Sequence, residues 1–164
     1  MNFIDKIDNI YQNNKNLEIY TDMDGTIVEF LLDRDKSFIK RNGYLRKKPI
    51  VPIINKIEEI KEKYPLIKIK ILSCSSTNQM RIEKNEWLDL YMPYINKEDR
   101  IIFSEENGEY NKESISTIKA EYIAKNISDE KAIILIDDDV RILIEVEKLL
   151  KQNVIPIHVT SLLC

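Results

Sequence analysis

Cysteine, histidine, glycine and proline are all scarce in this sequence, and long apolar runs are missing altogether. There are two cysteines, Cys74 and the final residue Cys164. Two such positions make no disulfide framework, so the expected compartment is a reducing cytoplasm. The three glycines and five prolines go with a chain that has no repeats, low-complexity tracts or linkers. The one histidine, His158, is distant in sequence from every acidic cluster, and a structural role is expected for it. No run approaches the ~20 apolar residues of a membrane span. The stretch Met1 to Asp8 is too polar to read as a signal peptide. Large net charge is missing as well: a formal −3 gives no overall attraction to nucleic acid or to an anionic membrane.

What is present describes an ordinary globular chain. Hydrophobic residues make up 43% and charged residues 32% of 164, enough for one domain, 1–164, with a proper core. Phe3, Ile4, Ile7, Ile10 and Tyr11 fall at helical spacing, predicting an amphipathic helix near 2–13. A strand follows at about 17–23. Val51, Ile54, Ile57, Ile60 and Tyr64 mark one helix face, with Pro52 tolerated in the first turn. Leu66 to Leu72 reads as a second strand. The helix expected over 78–91 turns Met80, Lys84, Trp87, Leu88 and Tyr91 inward. Arg100 to Ser104 is a third strand, and Ile115, Ile118, Tyr122 and Ile123 belong to a further helix. Lys131 to Ile136 is the most apolar strand. Leu143, Val146, Leu149 and Leu150 give a last helix, and Val154 to Val159 an edge strand that tolerates Pro156. This alternation predicts an α/β protein: a parallel sheet between two helical layers, Rossmann-like.

In such sheets ligands sit beyond the carboxyl ends of the strands, and here three strands end in polar clusters. The first stops in Asp22-Met23-Asp24-Gly25-Thr26. Residues two apart in a strand share a side, so both carboxylates can aim into one volume. Their repulsion, about 4 kcal/mol at 4 Å in a surface-like dielectric, invites a divalent cation, and oxygen ligands suit Mg²⁺. The second cluster is Ser73-Cys74-Ser75-Ser76-Thr77 and the third Asp137-Asp138-Asp139. Phosphoryl transfer needs a nucleophile, positive charge on the phosphoryl oxygens and a proton donor for the leaving group. Asp22 can attack phosphorus, and Asp24 can protonate the leaving oxygen and later deprotonate water. Mg²⁺ would be held by Asp22, the Asp24 carbonyl and a member of the Asp137/Asp138 pair. Thr26, the Ser73 hydroxyl and the amides near Cys74 and Ser75, taken as opening a helix, would cradle the phosphate.

These blocks resemble motifs of the haloacid dehalogenase superfamily: Asp22-Met23-Asp24-Gly25-Thr26 its first, Ile71-Leu72-Ser73 its second and Leu135-Ile136-Asp137-Asp138 its fourth. Lys119 fits the lysine of the third motif, with Lys112 as a rival. The resemblance implies a Rossmann-like fold and Mg²⁺-dependent phosphatase activity through an aspartyl-phosphate on Asp22, with Lys119 on the phosphate. It favours Asp138 as the metal ligand and Asp137 as its support. A narrower likeness, carried by Gly43-Tyr44-Leu45-Arg46 and by Leu135 to Asp138, is to the cytosolic 5′(3′)-deoxyribonucleotidases. Those enzymes insert a helical cap between the first two motifs, whereas here only the segment 29–49 is available, as a flap or minimal cap.

That segment is longer than a usual strand-to-helix connection and therefore suspected of function. It is basic between 33 and 48, where Arg34, Lys36, Lys40, Arg41, Arg46, Lys47 and Lys48 oppose Asp33 and Asp35. Such a charge would draw an anionic substrate, and Phe30, Phe38 and Tyr44 would offer stacking surfaces for a base. The expected substrate is a small phosphate ester such as a nucleoside monophosphate. The alternatives are a phosphorylated nucleic-acid end or protein, a non-catalytic phosphate-binding module, and a receiver-like phosphoacceptor. The last would place a lysine after the final strand, where Ile157-His158-Val159-Thr160 has none. An oligomer is compatible with an open site that a partner closes. Cys74 is expected as a buried thiol, Trp87 as core, and Asp139, Glu105 and Glu106 as solvated carboxylates.

Overall fold

The computed structural model describes residues 2–30, 42–148 and 153–164. The helix α1 (Phe3–Asn13) opens on a reciprocal cap: the Asn2 side chain accepts from the Asp5 amide, and the Asp5 carboxylate from the Asn2 amide. These bonds satisfy two donors that every helix start leaves open. There follow β1 (Leu17–Thr21), α2 (Val51–Lys63), β2 (Lys68–Ser75), α3 (Asn78–Tyr91), β3 (Arg100–Ser104), α4 (Ile118–Asn126), β4 (Ala132–Asp137), α5 (Val140–Lys148) and β5 (Val154–His158). The five strands form one sheet in the order β3-β2-β1-β4-β5, and every pairing is parallel. The order reverses at β1, which lies between β2 and β4, so the tip of β1 is where a crevice forms.

Helices cover both faces. In β4, Ile134 and Ile136 join Ile19, Ile71 and the α1, α2 and α3 residues Ile7, Ile57 and Trp87. Ile133 and Leu135 point the other way, to Ala120, Ile123, Ile142 and Val146 of α4 and α5. Both faces of the central strands are thus apolar, as a sheet between two helical layers requires. β5 lies at an edge, where Pro156 is tolerated.

Two strand ends differ from the sequence expectation. β1 stops at Thr21 because the chain turns at once: the Met23 carbonyl accepts from the amides of Thr26, Ile27 and Val28 at 3.1, 3.0 and 2.9 Å. β2 runs on to Ser75, pairing Ser73, Cys74 and Ser75 with Ile102, Phe103 and Ser104. The serine cluster is therefore mostly strand, and a helix begins only at Asn78. Among the described residues, no helix is long and apolar enough to cross a membrane.

Of the segment 29–49, its two ends are described. Val28 bridges to Pro49, the Glu29 amide donates to the Lys48 carbonyl and the Ile50 amide to Ile27, so the segment leaves and returns at one point. Phe38, Arg34, Lys36, Lys40 and Arg41, with Asp33 and Asp35, lie outside the described residues, as do Leu149 and Leu150.

Candidate active site

The tips of β1, β2 and β4 open onto a cavity of about 430 Å³, within the range of small-molecule sites. Asp22, Asp24, Ser73, Cys74, Lys119, Asp137 and Asp138 line it together, with Phe30, Ile115, Val140 and Arg141 on its walls. Asp22 directly follows β1, and its amide still donates to the Ile136 carbonyl at 2.9 Å, which fixes it beside the end of β4. Lys119, on the inner side of α4, donates to Asp22 Oδ1 at 2.6 Å and to Asp137 Oδ2 at 2.7 Å. Burial opposes its charge, yet the Asp22 and Asp137 carboxylates outweigh that and raise its pKa. Lys112 is exposed. Asp139, also on the cavity wall, pairs with Arg141 at 2.6 Å.

Asp22, Asp137 and Asp138 each present an oxygen, and these ligand atoms all lie within 4.8 Å of one another. Burial first, then the Asp22 charge, push Asp137 and Asp138 above the usual carboxylate range. Asp138 has no lysine or arginine partner among the described residues. Its position depends on Gly25: an ideal Cβ there would collide with the Asp138 carboxylate, so the missing side chain is the cradle in which the carboxylate rests. The all-oxygen set of Asp22, Asp137 and Asp138 could hold a hard divalent cation, and Asp137 is itself held by Lys119 and the Asp139 amide.

Asp24 belongs to a different group. Its Oδ1 accepts from Lys47 at 2.8 Å and its Oδ2 from Lys84 at 2.6 Å. Burial acts to raise its pKa, but the two ammonium groups prevail and hold it at about 2. Lys84 also donates to Ser73 Oγ at 3.0 Å and to the Cys74 carbonyl at 2.6 Å. The sequence puts Lys84 on an inward helix face and Lys47 in a basic segment expected to draw the substrate to the site. It pairs neither with Asp24, although a lysine among inward positions of an amphipathic helix is itself a signal that a buried acid faces it.

Several sequence-based assignments need correction. Tyr44 is fully buried and cannot stack on a base. Its ring instead lies under Lys47 and Lys84, at 4.8 and 5.2 Å from the two ammonium groups, and burial, with Asp24 and Asp22 nearby, raises its pKa. Thr26 is buried with its hydroxyl unpaired and lines a separate small cavity beside Ile53 and Val159. Ser75 donates to the Phe103 carbonyl at 2.9 Å, so it serves the sheet. The helix N-terminus expected to cradle phosphate is already occupied. Glu106 accepts from the Asn78 amide at 2.6 Å and Thr77 Oγ1 from the Met80 amide, so Glu106 is a cap. Arg46 is exposed and outside the cavity lining, whereas Phe30 is 61% exposed and stands at its mouth. Cys74 is half-buried, and burial chiefly pushes its thiol up to about 11. His158 packs its Nε2 3.1 Å from the Asp138 carbonyl.

The fold and the strand-end acids together define an α/β protein of Rossmann-like architecture with a carboxylate-lined crevice at the sheet's switch point. No family model and no curated protein matches the chain. Among solved structures it is similar to a chain of the Pnkp1/Rnl/Hen1 RNA repair complex, with a TM-score of 0.60 and 18% sequence identity over 87% of its own length. It spans 42% of that chain. At this identity the likeness is one of fold.

Proposed function

We propose that this protein is a Mg²⁺-dependent phosphomonoester hydrolase that works through an aspartyl-phosphate on Asp22. The observation that carries the reading is the meeting of Asp22, Asp137 and Asp138, with ligand atoms within 4.8 Å, around a lysine that holds two of them. The haloacid dehalogenase resemblance of the same blocks supports it. Asp22 and Asp138 would hold Mg²⁺, which supplies charge for the phosphoryl oxygens.

In the first step an Asp22 oxygen attacks phosphorus, the bond to the ester oxygen breaks, and that oxygen takes a proton from Asp24. In the second, water attacks the aspartyl-phosphate, gives its proton to Asp24 and releases inorganic phosphate and free Asp22. Lys119 keeps Asp22 oriented, and Ser73 offers its hydroxyl to a phosphoryl oxygen. With both oxygens on lysines, Asp24 rests as a carboxylate, the form that the second step uses. The first step needs its protonated form and so a loosening of the Lys47 contact. Apolar walls at Phe30, Ile115 and Val140 suit an organic group such as a nucleoside, so the preferred substrate class is a small phosphate ester.

The test is hydrolysis of a generic aryl phosphate with and without Mg²⁺, by the native chain and by Asp22→Asn. Activity is expected with Mg²⁺ only, and Asp22→Asn should abolish it while circular dichroism stays unchanged. Turnover retained in that variant would remove the covalent mechanism. A panel of nucleoside monophosphates, sugar phosphates and 3′-phosphorylated oligonucleotides then sorts substrates. The oligonucleotides belong there because the structurally similar chain comes from an RNA repair complex. Feeble, uniform turnover of all nucleotides would count against a nucleotidase.

A further inference from the structure

Two buried lysines each cross one junction between strand tips at the site. Lys119 joins β1 to β4 through Asp22 and Asp137. Lys84, from α3, joins β1 to β2 through Asp24 Oδ2, Ser73 Oγ and the Cys74 carbonyl, at 2.6, 3.0 and 2.6 Å. An ammonium has three N–H donors, and all three are engaged. Lys84 is also fully buried and absent from the cavity lining. It therefore has neither a free donor nor a surface to offer a substrate, and it can affect chemistry only through the groups it holds.

Resting on the phosphatase reading above, we propose that Lys84 is a positioning residue: it fixes the proton-transferring carboxylate of Asp24 and the hydroxyl of Ser73 in one geometry. An apolar side chain of similar volume would pack here without desolvating a charge; what a lysine adds is direction. Because Ser73 Oγ accepts from Lys84, its single hydrogen remains for an acceptor in the cavity that Ser73 lines. Because Lys84 binds Asp24 Oδ2, the carboxylate plane is set, and Oδ1 is left to Lys47. The same helix anchors Lys47. Trp87 Nε1 donates to the Lys47 carbonyl at 3.0 Å, and Glu83 accepts from the Asn42 and Tyr44 amides at 2.7 and 2.8 Å. α3 thus holds Asp24 directly through Lys84 and steadies the segment whose Lys47 holds its other oxygen.

A leaving-group comparison separates positioning of a proton donor from mere support of the fold. Alkyl phosphates need a proton on the departing oxygen, whereas dinitrophenyl phosphate does not. Lys84→Met should slow first-step release of the alcohol, read in a single turnover before water attacks the shared aspartyl-phosphate, by about 10²-fold for an alkyl phosphate, the scale of general acid catalysis, and by less than about tenfold for dinitrophenyl phosphate. In an Asp24→Asn background the same change should add no further loss on the alkyl substrate. Equal losses on both substrates, or additive losses in the double variant, would overturn the proposal. Lys84→Gln takes the place of the methionine variant if circular dichroism shows the latter unfolded. If neither folds, Lys84 is a structural residue and the proposal fails. A native chain that turns over neither substrate with Mg²⁺ removes the phosphatase reading itself, a result distinct from all of these.

Discussion

Asp138 occupies a space that only a glycine neighbour leaves open. Gly25 has φ +79, and a Cβ there would come within 2.5 Å of the Asp138 carboxylate carbon. Gly25→Ala should therefore fold with a loss of about 1 kcal/mol from its positive φ, yet bind Mg²⁺ about 10- to 100-fold more weakly, as when a ligand loses its support. Titration calorimetry measures the second and thermal melting the first; unchanged affinity would show that Asp138 is not a ligand. At this scale the pair spacing of Asp22 and Asp24, the serine at position 73 and the acidic run at 137–138 were all legible as site residues. The lysines that hold Asp24 were not. Asp22 faces Lys119 and Asp24 faces Lys84, because the chain leaves the sheet between them.

At the scale of the element, β1 is buried along its whole length, although it contains Glu18. That carboxylate is held by Lys70 at 3.2 Å, Lys131 at 3.3 Å and the Tyr20 hydroxyl at 3.0 Å. Burial alone would raise its pKa, but Lys70 first, then Tyr20 and Lys131, bring it below the ordinary 4.5. With the folded value depressed, the unfolded chain binds more protons in the interval between the two. Glu18 therefore contributes stability that is complete above about pH 4.5 and is lost as pH falls through its folded value. Glu18→Gln should melt at a lower temperature than the native chain at pH 7, with the difference shrinking as pH drops below 4.5; a constant difference would refute the linkage. Most elements were readable from periodicity and the edge position of β5 from Pro156, whereas Ile115, expected in a helix, lies ahead of α4. The extension of β2 through Ser75 was not, because serines carry little strand preference and the pairing partner, β3, fixes them.

For the whole molecule, the strand tips bring four carboxylates, Asp22, Asp24, Asp137 and Asp138, together with three ammonium groups, Lys47, Lys84 and Lys119. A ligand cation that binds this arrangement and not the unfolded chain stabilises it by mass action, about 2.7 kcal/mol at a hundredfold excess over Kd. Millimolar Mg²⁺ should accordingly raise Tm by several degrees over the chelated protein, and Asp138→Asn should remove most of the rise. Equal Tm with Mg²⁺ and with chelator would argue against the metal site.

Repeating patterns of two and 3.6 residues are local, and they carried the α/β architecture, the parallel sheet and the arrival of three polar strand ends at one edge. Which donor meets which acceptor across that edge is a matter of helix rotation and strand order, set by packing between residues up to 97 positions apart, as in the Lys119–Asp22 pair. Lys84 under Asp24, the burial of Tyr44 and the capping of α3 by Glu106 could emerge only once the layers had closed. An ammonium or a ring takes its role from the groups brought within a few ångströms of it.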